Sequence, residues 1–322
     1  MNQKTKVLIA YDGSASADAA IEDLPRAGLA EAVEAVVLSV ADVWYYLSPA
    51  DTSSPPVTPL DREILRRGEE MRQRAMRAQG ENEICAGRAV SRLQEFSPSW
   101  AIRAETAIDS PGWAIIKKAE EWGADLVVVG AGEHSFMERV QLGSVSQKVL
   151  GGCQCSVRVA RRGTAVAAAP VRLIIGLDGS PHAELAVTAV AQRQWPKGSE
   201  IRLISVLDGR LAVAVPSLIP GLARWYRGKE SAADNQAWLH WMMEGAAEML
   251  KGTGLAVSRA IVQGDPRDTL VETAVSWQAD TIFVGARGLS GIERFLIGSV
   301  SSGVAARAGC SVEVVRGALP KP

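Results

Sequence analysis

The sequence predicts an α/β protein made of two tandem copies of one unit, each a doubly wound parallel sheet of five strands. Two observations support this fold class. Short, nearly continuous apolar runs alternate with longer helical stretches, which is typical of parallel strands covered by helices on both faces. In addition, stretches of the first half recur in the second half of the 322-residue chain.

The internal repeat is visible at two places. The run K-V-L-I-A-Y-D-G-S, which ends at Ser14, matches V-R-L-I-I-G-L-D-G-S, which ends at Ser180, at an offset of 166 residues. Residues 122–155 match residues 277–310 at an offset of 155, with 15 of 34 positions identical and no gap. The first copy therefore carries about eleven extra residues, which we place in the proline-rich segment 45–59.

The copies are joined by a segment of small residues, R-R-G-T-A-V-A-A-A-P, which ends at Pro170. We therefore expect two domains, roughly residues 1–163 and 168–322. Each is long enough to bury a core of its own.

Within the first copy, strands and helices alternate along the chain. Strands are expected at residues 7–11, 35–40, 100–107, 125–129 and 156–160. Helices are expected from residue 15 to about 24, where Pro25 interrupts or ends the helix, and at residues 62–96, 111–122 and 144–150. The second copy repeats the strands near Leu173, Leu203, Val257, Ile282 and Val312.

Composition excludes several classes of protein. The chain has 35 basic and 36 acidic residues, a formal net charge of -1, which argues against nucleic acid as the main partner. Its longest apolar stretch, residues 211–223, contains two prolines and is too short to span a membrane. The N-terminal residues lack a signal-peptide layout, and four cysteines in this length do not form a disulfide framework. We expect a cytoplasmic protein.

A candidate binding site follows the fourth strand of the second copy. The strand over residues 281–284 leads into Gly285 and Gly288, and Gly298 and Ser299 follow where a new helix should start. Glycines allow close backbone approach, and the free N–H groups of a helix start attract anions. The pattern is neither a Walker loop nor G-x-G-x-x-G. It predicts a phosphate site at the edge of the sheet that also carries Asp12 or Asp178 after the first strand.

These features resemble the universal stress protein family. The resemblance is carried by an opening strand that ends in D-G-S, by G-x2-G-x9-G-[S/T] after the fourth strand, and by a C-x-V-x-V-V-like final strand at residues 310–315. It covers the whole chain, twice. It implies an ATP-binding fold with strand order 3-2-1-4-5 and a role in stress tolerance. It also implies pairing through the final edge strand, hence a pseudo-dimer of the two domains and a homodimer of chains.

The resemblance assigns site residues in the second copy, where the glycine motif is complete. Adenine and ribose would lie against Asp178, Val206 and Val284. The phosphates would be held by the backbone of Gly288, Gly298, Ser299, Val300 and Ser301. Leu177 and Gly285 are the remaining candidate residues of this site. Arg287 could add charge-assisted hydrogen bonds to a phosphate. The implied cofactor is ATP; a Mg²⁺ bridging its phosphates is compatible with this, although the sequence shows no dedicated protein cage for one.

The first copy departs from the motif at one position. Its corresponding residues are Asp12, Val40, Gly130, Gly143, Ser144, Val145 and Ser146. The second glycine, however, is replaced by Glu133. At about 4–5 Å from a phosphate, this carboxylate would cost about 1 kcal/mol in water and several in a drier site. We expect the first site to bind ATP weakly, or a less charged adenine nucleotide, with His134 partly offsetting the charge.

Several of these residues have a plainer interpretation. Asp12 and Asp178 could serve only to form a turn, and Ser14 and Ser180 are better interpreted as helix N-caps than as nucleophiles. The Cys153–Cys155 pair favours core packing over a metal or redox role. The three histidines lack ligand spacing, and His182 is expected in the first turn of a helix.

One helix of the second copy carries an unusual apolar group. Its members are Trp238, Trp241, Met242 and Met243. The group is either an exposed surface for another subunit or domain, or an ordinary core face.

The leading functional prediction is an ATP-binding stress-response or regulatory protein. No general base is evident beside a bound γ-phosphate, so at most slow hydrolysis is expected. The alternatives are an interaction scaffold that needs no nucleotide and, less favoured, an enzyme acting on an adenine nucleotide. The enzyme is disfavoured because the sequence lacks an H-x-G-H-type pair and a Lys-rich loop.

Overall fold

The computed structural model describes residues 4–42, 58–132, 142–161, 169–207, 232–288 and 297–317. The strands of its first half are β1 (Thr5–Ala10), β2 (Val33–Ala41), β3 (Ala101–Ile108), β4 (Leu126–Gly130) and β5 (Ser156–Ala160). Those of its second half are β6 (Arg172–Gly176), β7 (Glu200–Leu207), β8 (Ala256–Gln263), β9 (Thr281–Gly285) and β10 (Ser311–Val315). All ten predicted strands are present, displaced by at most a few residues.

Helices alternate with these strands. In the first half they are α1 (Ala15–Asp23), a 3-10 turn (Leu24–Arg26), α2 (Pro59–Phe96), α3 (Pro111–Trp122) and α4 (Ser144–Gly152). In the second half they are α5 (Pro181–Ala191), α6 (Ala232–Met249), α7 (Pro266–Ser276) and α8 (Ser299–Arg307). Pro25 ends the regular part of α1, as expected, because proline cannot donate the helical hydrogen bond. Most of the predicted insertion at 45–59 and all of the apolar stretch at 211–223 lie outside the described residues.

The ten strands form one sheet in the order β3-β2-β1-β4-β5-β10-β9-β6-β7-β8. Each half has the predicted order 3-2-1-4-5 and is parallel throughout, so the fold class is confirmed. The two predicted sheets join where β5 and β10 pair antiparallel, with Arg158 opposite Glu313. Pairing through the final strand therefore takes place inside the chain.

The core lies on both faces of this sheet because successive side chains of each strand point to opposite sides. Leu8 and Val36 pack into one apolar layer, and Val7 and Ile9 pack into the other. The first layer continues across the β5–β10 junction, because it also contains residues of the second half such as Ile282. The two halves thus share one hydrophobic layer.

The junction also contains a row of buried charges. Arg158 and Glu313 are fully buried, and Nη1 of Arg158 lies 3.3 Å from Oε2 of Glu313. Arg158 also donates through Nε to Asp23 at 2.5 Å, and Arg193 donates through Nη1 to Glu313 at 2.9 Å. The signs alternate along the row Asp23, Arg158, Glu313, Arg193. Burial alone would raise the pKa of Glu313, but the guanidiniums of Arg193 and Arg158 outweigh it and lower that pKa.

Among the described residues, no helix combines the length and the apolar character that a membrane span requires.

Candidate functional site

Two loops of the second half meet at the carboxyl edge of the sheet. The loop after β6 carries Asp178, and the loop after β9 carries Gly288. A Cβ added to Gly288 would lie only 2.6 Å from Oδ2 of Asp178. The hydroxyl of Ser180 donates to the carbonyl of Arg287 at 3.2 Å. The D-G-S loop and the glycine loop therefore touch, as the parallel topology predicts.

The aspartates and serines of the D-G-S loops form the turns themselves. Oδ1 of Asp178 accepts the N–H of Ser180 at 2.9 Å, and the Ser180 hydroxyl caps α5 by accepting the N–H of Ala183 at 3.2 Å. In the first half, Asp12 and Ser14 make the equivalent bonds. Both serines are N-caps, as predicted. Asp178 is exposed and directs its second oxygen towards Gly288, so a turn role and a ligand contact are compatible.

The helix that follows the glycine loop begins without a side-chain cap. α5 and α7 are capped by the side chains of Ser180 and Asp265, whereas α8 follows Gly298, which has no side chain. The first N–H groups of a helix lack intrahelical partners and attract negative charge. Since the N–H of Gly298 donates to the carbonyl of Ala286 at 2.7 Å, the amides left for an anion are those of residues 299–301.

A hydroxyl ties this helix start to the end of the fourth strand. Ser301 is 4% exposed, and its Oγ donates to the carbonyl of Gly285 at 2.5 Å. In the first half, Oγ of Ser146 donates to the carbonyl of Gly130 at the same distance. Both hydroxyls are therefore used internally, and these serines can offer a ligand only their backbone.

The first glycine of each motif has a packing role. A Cβ at Gly285 would lie 2.5 Å from the backbone carbon of His182, and one at Gly130 would lie 2.3 Å from the carbonyl oxygen of Ser16. Backbone atoms of a helix cannot move aside as a flexible side chain can. Glycine at these positions lets the first turn of α5 or α1 approach the strand end, which brings the two loops together.

Three apolar residues of the predicted site belong to one apolar layer. Val284 is buried, and the partly buried Val206 and Val300 pack against the same apolar layer. Leu177, at the end of β6, belongs to the layer on the opposite face. In the first half, Val40 and Val145 take the places of Val206 and Val300. Of the residues in the second half, Val206 and Val300 keep some exposed apolar surface, the kind of surface that accepts the face of a planar base.

Arg287 gives the site a positive charge that also acts on His182. Burial lowers the pKa of His182, the positive charge of Arg287 lowers it further, and Asp178 opposes this. The neutral form of His182 is therefore favoured, and His182 lies in the first turn of α5, as expected. It is not among the predicted site residues; the sequence signal for it is its position directly after D-G-S-P.

The two halves differ in what covers the D-G-S loop. Gly179 has a φ of 77°, and a Cβ there would lie 2.2 Å from Cη2 of Trp238. The equivalent Gly13 faces the Sγ of Cys85 instead. The apolar group of α6 is divided: Met243 is part of the core, Trp238 covers the loop, and Trp241 is 73% exposed.

The first half builds the same frame around a different loop. The N–H of Gly143 donates to the carbonyl of Ala131 at 2.8 Å, and α4 then begins at Ser144. Gly132, which is not among the predicted site residues, has a φ of 100° and packs on Gly143: a Cβ on Gly132 would lie 2.8 Å from the Cα of Gly143. Residues 133–141, which include Glu133 and His134, lie outside the described residues.

Comparison with known proteins identifies the family. The universal stress protein family model matches residues 4–161 and 171–316, so that each half contains one such domain. The chain belongs to the universal stress protein family.

Relatives of similar length support the tandem arrangement. A universal stress protein of Mycolicibacterium smegmatis is 28% identical over 313 residues, which are 96% of each chain. One of Mycobacterium tuberculosis is 28% identical over 218 residues, 67% of this chain and 69% of that one. The crystal structure of a universal stress protein from Archaeoglobus fulgidus superposes with a TM-score of 0.62 at 22% identity, covering 98% and 99% of the two chains. That likeness concerns the fold alone.

Adenine nucleotides are found in some structures of this family. A family protein from Arabidopsis thaliana was solved with AMP bound, at 18% identity over 48% of this chain and 97% of that one. Another universal stress protein was solved in complex with cAMP, at 23% identity over 45% of this chain and 96% of that one. With TM-scores of 0.30, these likenesses carry no conclusion about nucleotide binding by this chain.

Proposed function

We propose that the second half of this chain binds ATP at the edge between the D-G-S loop and the start of α8, and that the protein acts as a nucleotide-dependent stress-response or regulatory protein in the cytoplasm. One observation carries the proposal. α8 begins at a glycine cap, with the amides of residues 299–301 uncapped, directly beside the loop of Asp178. Such a helix start is suited to phosphate oxygens.

We assign the base and ribose to Asp178, Val206 and Val284, and the phosphates to the glycine loop and the amides of α8. The side chain of Leu177 belongs to the apolar layer on the opposite face of the sheet, so only its backbone is a candidate contact. Since the Gly298 amide is engaged, we assign the phosphate bonds to Ser299, Val300 and Ser301, with Gly288 allowing close approach and Arg287 supplying charge. Within the described ranges no three His, Cys, Asp or Glu side chains converge, so an accompanying Mg²⁺ would be held mainly by the phosphates.

In the first half, we propose a weaker site on the same frame, formed by Asp12, Val40, Gly130, Gly143, Ser144, Val145 and Ser146. The physical reason is the carboxylate of Glu133, which repels phosphate. Both final strands are used in the internal junction, so a homodimer of chains would need another surface. Light scattering on the purified protein measures whether such a dimer forms.

Gly298→Ala tests the proposal at the cradle. Gly298 has a φ of -64°, so alanine introduces no backbone strain. The new Cβ would lie 3.4 Å from the carbonyl oxygen of Ala286 and 3.5 Å from Cα of Arg287, which are ordinary contacts. We expect a stability change within about 1 kcal/mol. The added methyl narrows the space between the glycine loop and α8, so ATP affinity should fall at least about tenfold, or about 1.4 kcal/mol.

The matched control is Gly309→Ala, just after α8, where a Cβ would meet nothing within 4 Å. Isothermal titration with ATP should give the wild-type affinity for this control and a weaker one for Gly298→Ala. Equal affinities in all three proteins would place the ligand elsewhere. The absence of saturable binding of ATP, AMP and cAMP to the wild type would leave an interaction scaffold that needs no nucleotide.

A further inference from the structure

Two arginines cross the junction between the halves in a reciprocal manner. Arg161 follows β5 in the first half, and Arg316 follows β10 in the second. Nη2 of Arg161 donates to the carbonyl of Ala305 at 2.8 Å, and Nη2 of Arg316 donates to the carbonyl of Leu150 at 2.5 Å. Each guanidinium therefore reaches a helix of the opposite half.

The helices that they reach are those whose first turns form the proposed phosphate sites. Ala305 lies in the last turn of α8, and Leu150 lies in the last turn of α4. The last carbonyls of a helix lack intrahelical partners, and a cation beside them offsets the negative end of the helix dipole. Each helix has nine residues, so the arginine acts about 13 Å from the phosphate end.

A second bond secures each arginine on the partner half. Nη1 of Arg161 donates to the carbonyl of Cys310 at 3.4 Å, and Nη1 of Arg316 donates to that of Cys155 at 3.5 Å. Ser311 and Ser156 hold the backbone N–H groups of the two arginines at 3.0 and 3.1 Å. The same three bonds thus occur twice, related by the pseudo-symmetry of the chain.

Because the two guanidiniums lose hydration by burial, they depend on these hydrogen bonds. Arg161 is 9% exposed, and burial lowers its pKa to about 10, with only Cys310 acting in the opposite direction. Burial also lowers the pKa of Arg316. The described hydrogen bonds of both guanidiniums go to carbonyl oxygens rather than to carboxylates. A buried cation with such partners is held at the helix end, because moving away would leave it neither solvated nor bonded.

We propose that Arg161 and Arg316 are positioning residues through which each nucleotide site depends on the opposite half of the chain. Arg161 fixes α8 and hence the amides of the second site, while Arg316 fixes α4 and the first site. This inference rests on the proposed function.

The test compares Arg161→Met with Arg316→Met in the full chain. Both variants remove a guanidinium from equivalent places and keep a long side chain. Because the positive charge of Arg316 also acts on His182 and Arg287 beside the second site, the control for ATP affinity is Arg316→Lys, which keeps that charge. ATP titrations are followed by the amide resonances of Ser299 and Val300 for the second site and of Ser144 and Val145 for the first. We expect Arg161→Met to weaken the second site at least fivefold, while Arg316→Lys changes it less than twofold.

A second measurement needs no nucleotide. Hydrogen exchange should become faster in residues 299–308 of Arg161→Met and in residues 144–152 of Arg316→Met, and not the reverse. Arg161→Lys keeps one charged donor, so it should recover part of the ATP affinity that Arg161→Met loses. It also replaces Arg161→Met in the test if the methionine variant does not fold.

Equal weakening of the second site by Arg161→Met and Arg316→Lys, or no weakening by either, would overturn the inference while leaving the proposed function standing. A wild-type chain without saturable ATP binding would overturn the proposed function instead. In that case, faster hydrogen exchange in the helix of the half opposite to each substituted arginine would still show that the arginines position the helices.

Discussion

Replacing Arg158 by methionine should strongly destabilise the junction between the two halves. Arg158 is fully buried at the centre of the alternating row of charges and bonds Asp23 through both Nε and Nη2, at 2.5 and 3.1 Å. Without the Arg158 guanidinium, the carboxylate of Asp23 would keep only one of its described hydrogen bonds, from the hydroxyl of Ser311 at 2.8 Å. Glu313 would keep Arg193.

The expected magnitude follows from this loss of one partner. Removing one member of a buried ion pair costs about 3–5 kcal/mol because the remaining charge stays desolvated. The matched control is Arg66→Met, since Arg66 bonds Glu63 on the exposed face of α2 at 2.8 Å. Exposed pairs of this kind contribute about 0–1 kcal/mol. Asp23→Asn in the Arg158→Met background should recover at least about 1 kcal/mol, because it removes the uncompensated charge.

Urea unfolding at pH 7, followed by circular dichroism, gives the free energy of unfolding for each variant. A loss below about 1 kcal/mol in Arg158→Met, no larger than that of Arg66→Met, would refute the reasoning.

The buried row of charges at the junction also bears on pairing between chains. Two copies of β5 facing each other would set Arg158 against Arg158, and two copies of β10 would set Glu313 against Glu313. Only the pairing of unlike halves gives alternating signs.

Three further variants test the site's frame. Gly285→Ala should lower the free energy of unfolding by more than about 2 kcal/mol, because the new Cβ would lie 2.5 Å from the backbone carbon of His182. Gly298→Ala should not cause such a loss, and thermal melts of the two variants compare them. Ser301→Ala should cost about 1–3 kcal/mol by leaving the Gly285 carbonyl unbonded, with the more exposed Ser302→Ala as control in urea unfolding. The lowered pKa of His182 means that the folded state disfavours its protonation, so the free energy of unfolding should fall as pH drops below about 6.5. In His182→Gln, the free energy of unfolding from urea titrations should depend less on pH between about pH 7 and 5.

The strands and the edge that carries the site could be predicted from the sequence because their signals are local. Apolar runs such as that of residues 281–284 predict buried strands, and the repeat places each strand twice. The glycine spacing predicts the start of α8, and Ser14 and Ser180 are N-caps as expected. In a parallel sheet these signals converge on one edge without knowledge of side-chain contacts.

What could not be predicted depends on contacts between distant parts of the chain. Arg158 and Glu313 are single charged residues within V-R-V and V-E-V, a pattern that also fits an exposed strand face. Their burial becomes apparent only when β5 pairs with β10. Similarly, Arg161 resembles the start of a linker, and Trp238 reaches Gly179 across 59 positions of sequence. The hydrogen bond from the Gly298 N–H to the Ala286 carbonyl depends on how the glycine loop closes.

The most direct measurement is a titration of the full chain with ATP, followed by the amide resonances of Ser299, Val300 and Ser301. We predict saturable shifts of all three amides, at ATP concentrations at least about tenfold higher in Gly298→Ala than in the wild type. Unchanged resonances at these three amides, whether ATP binds elsewhere or not at all, would contradict the account.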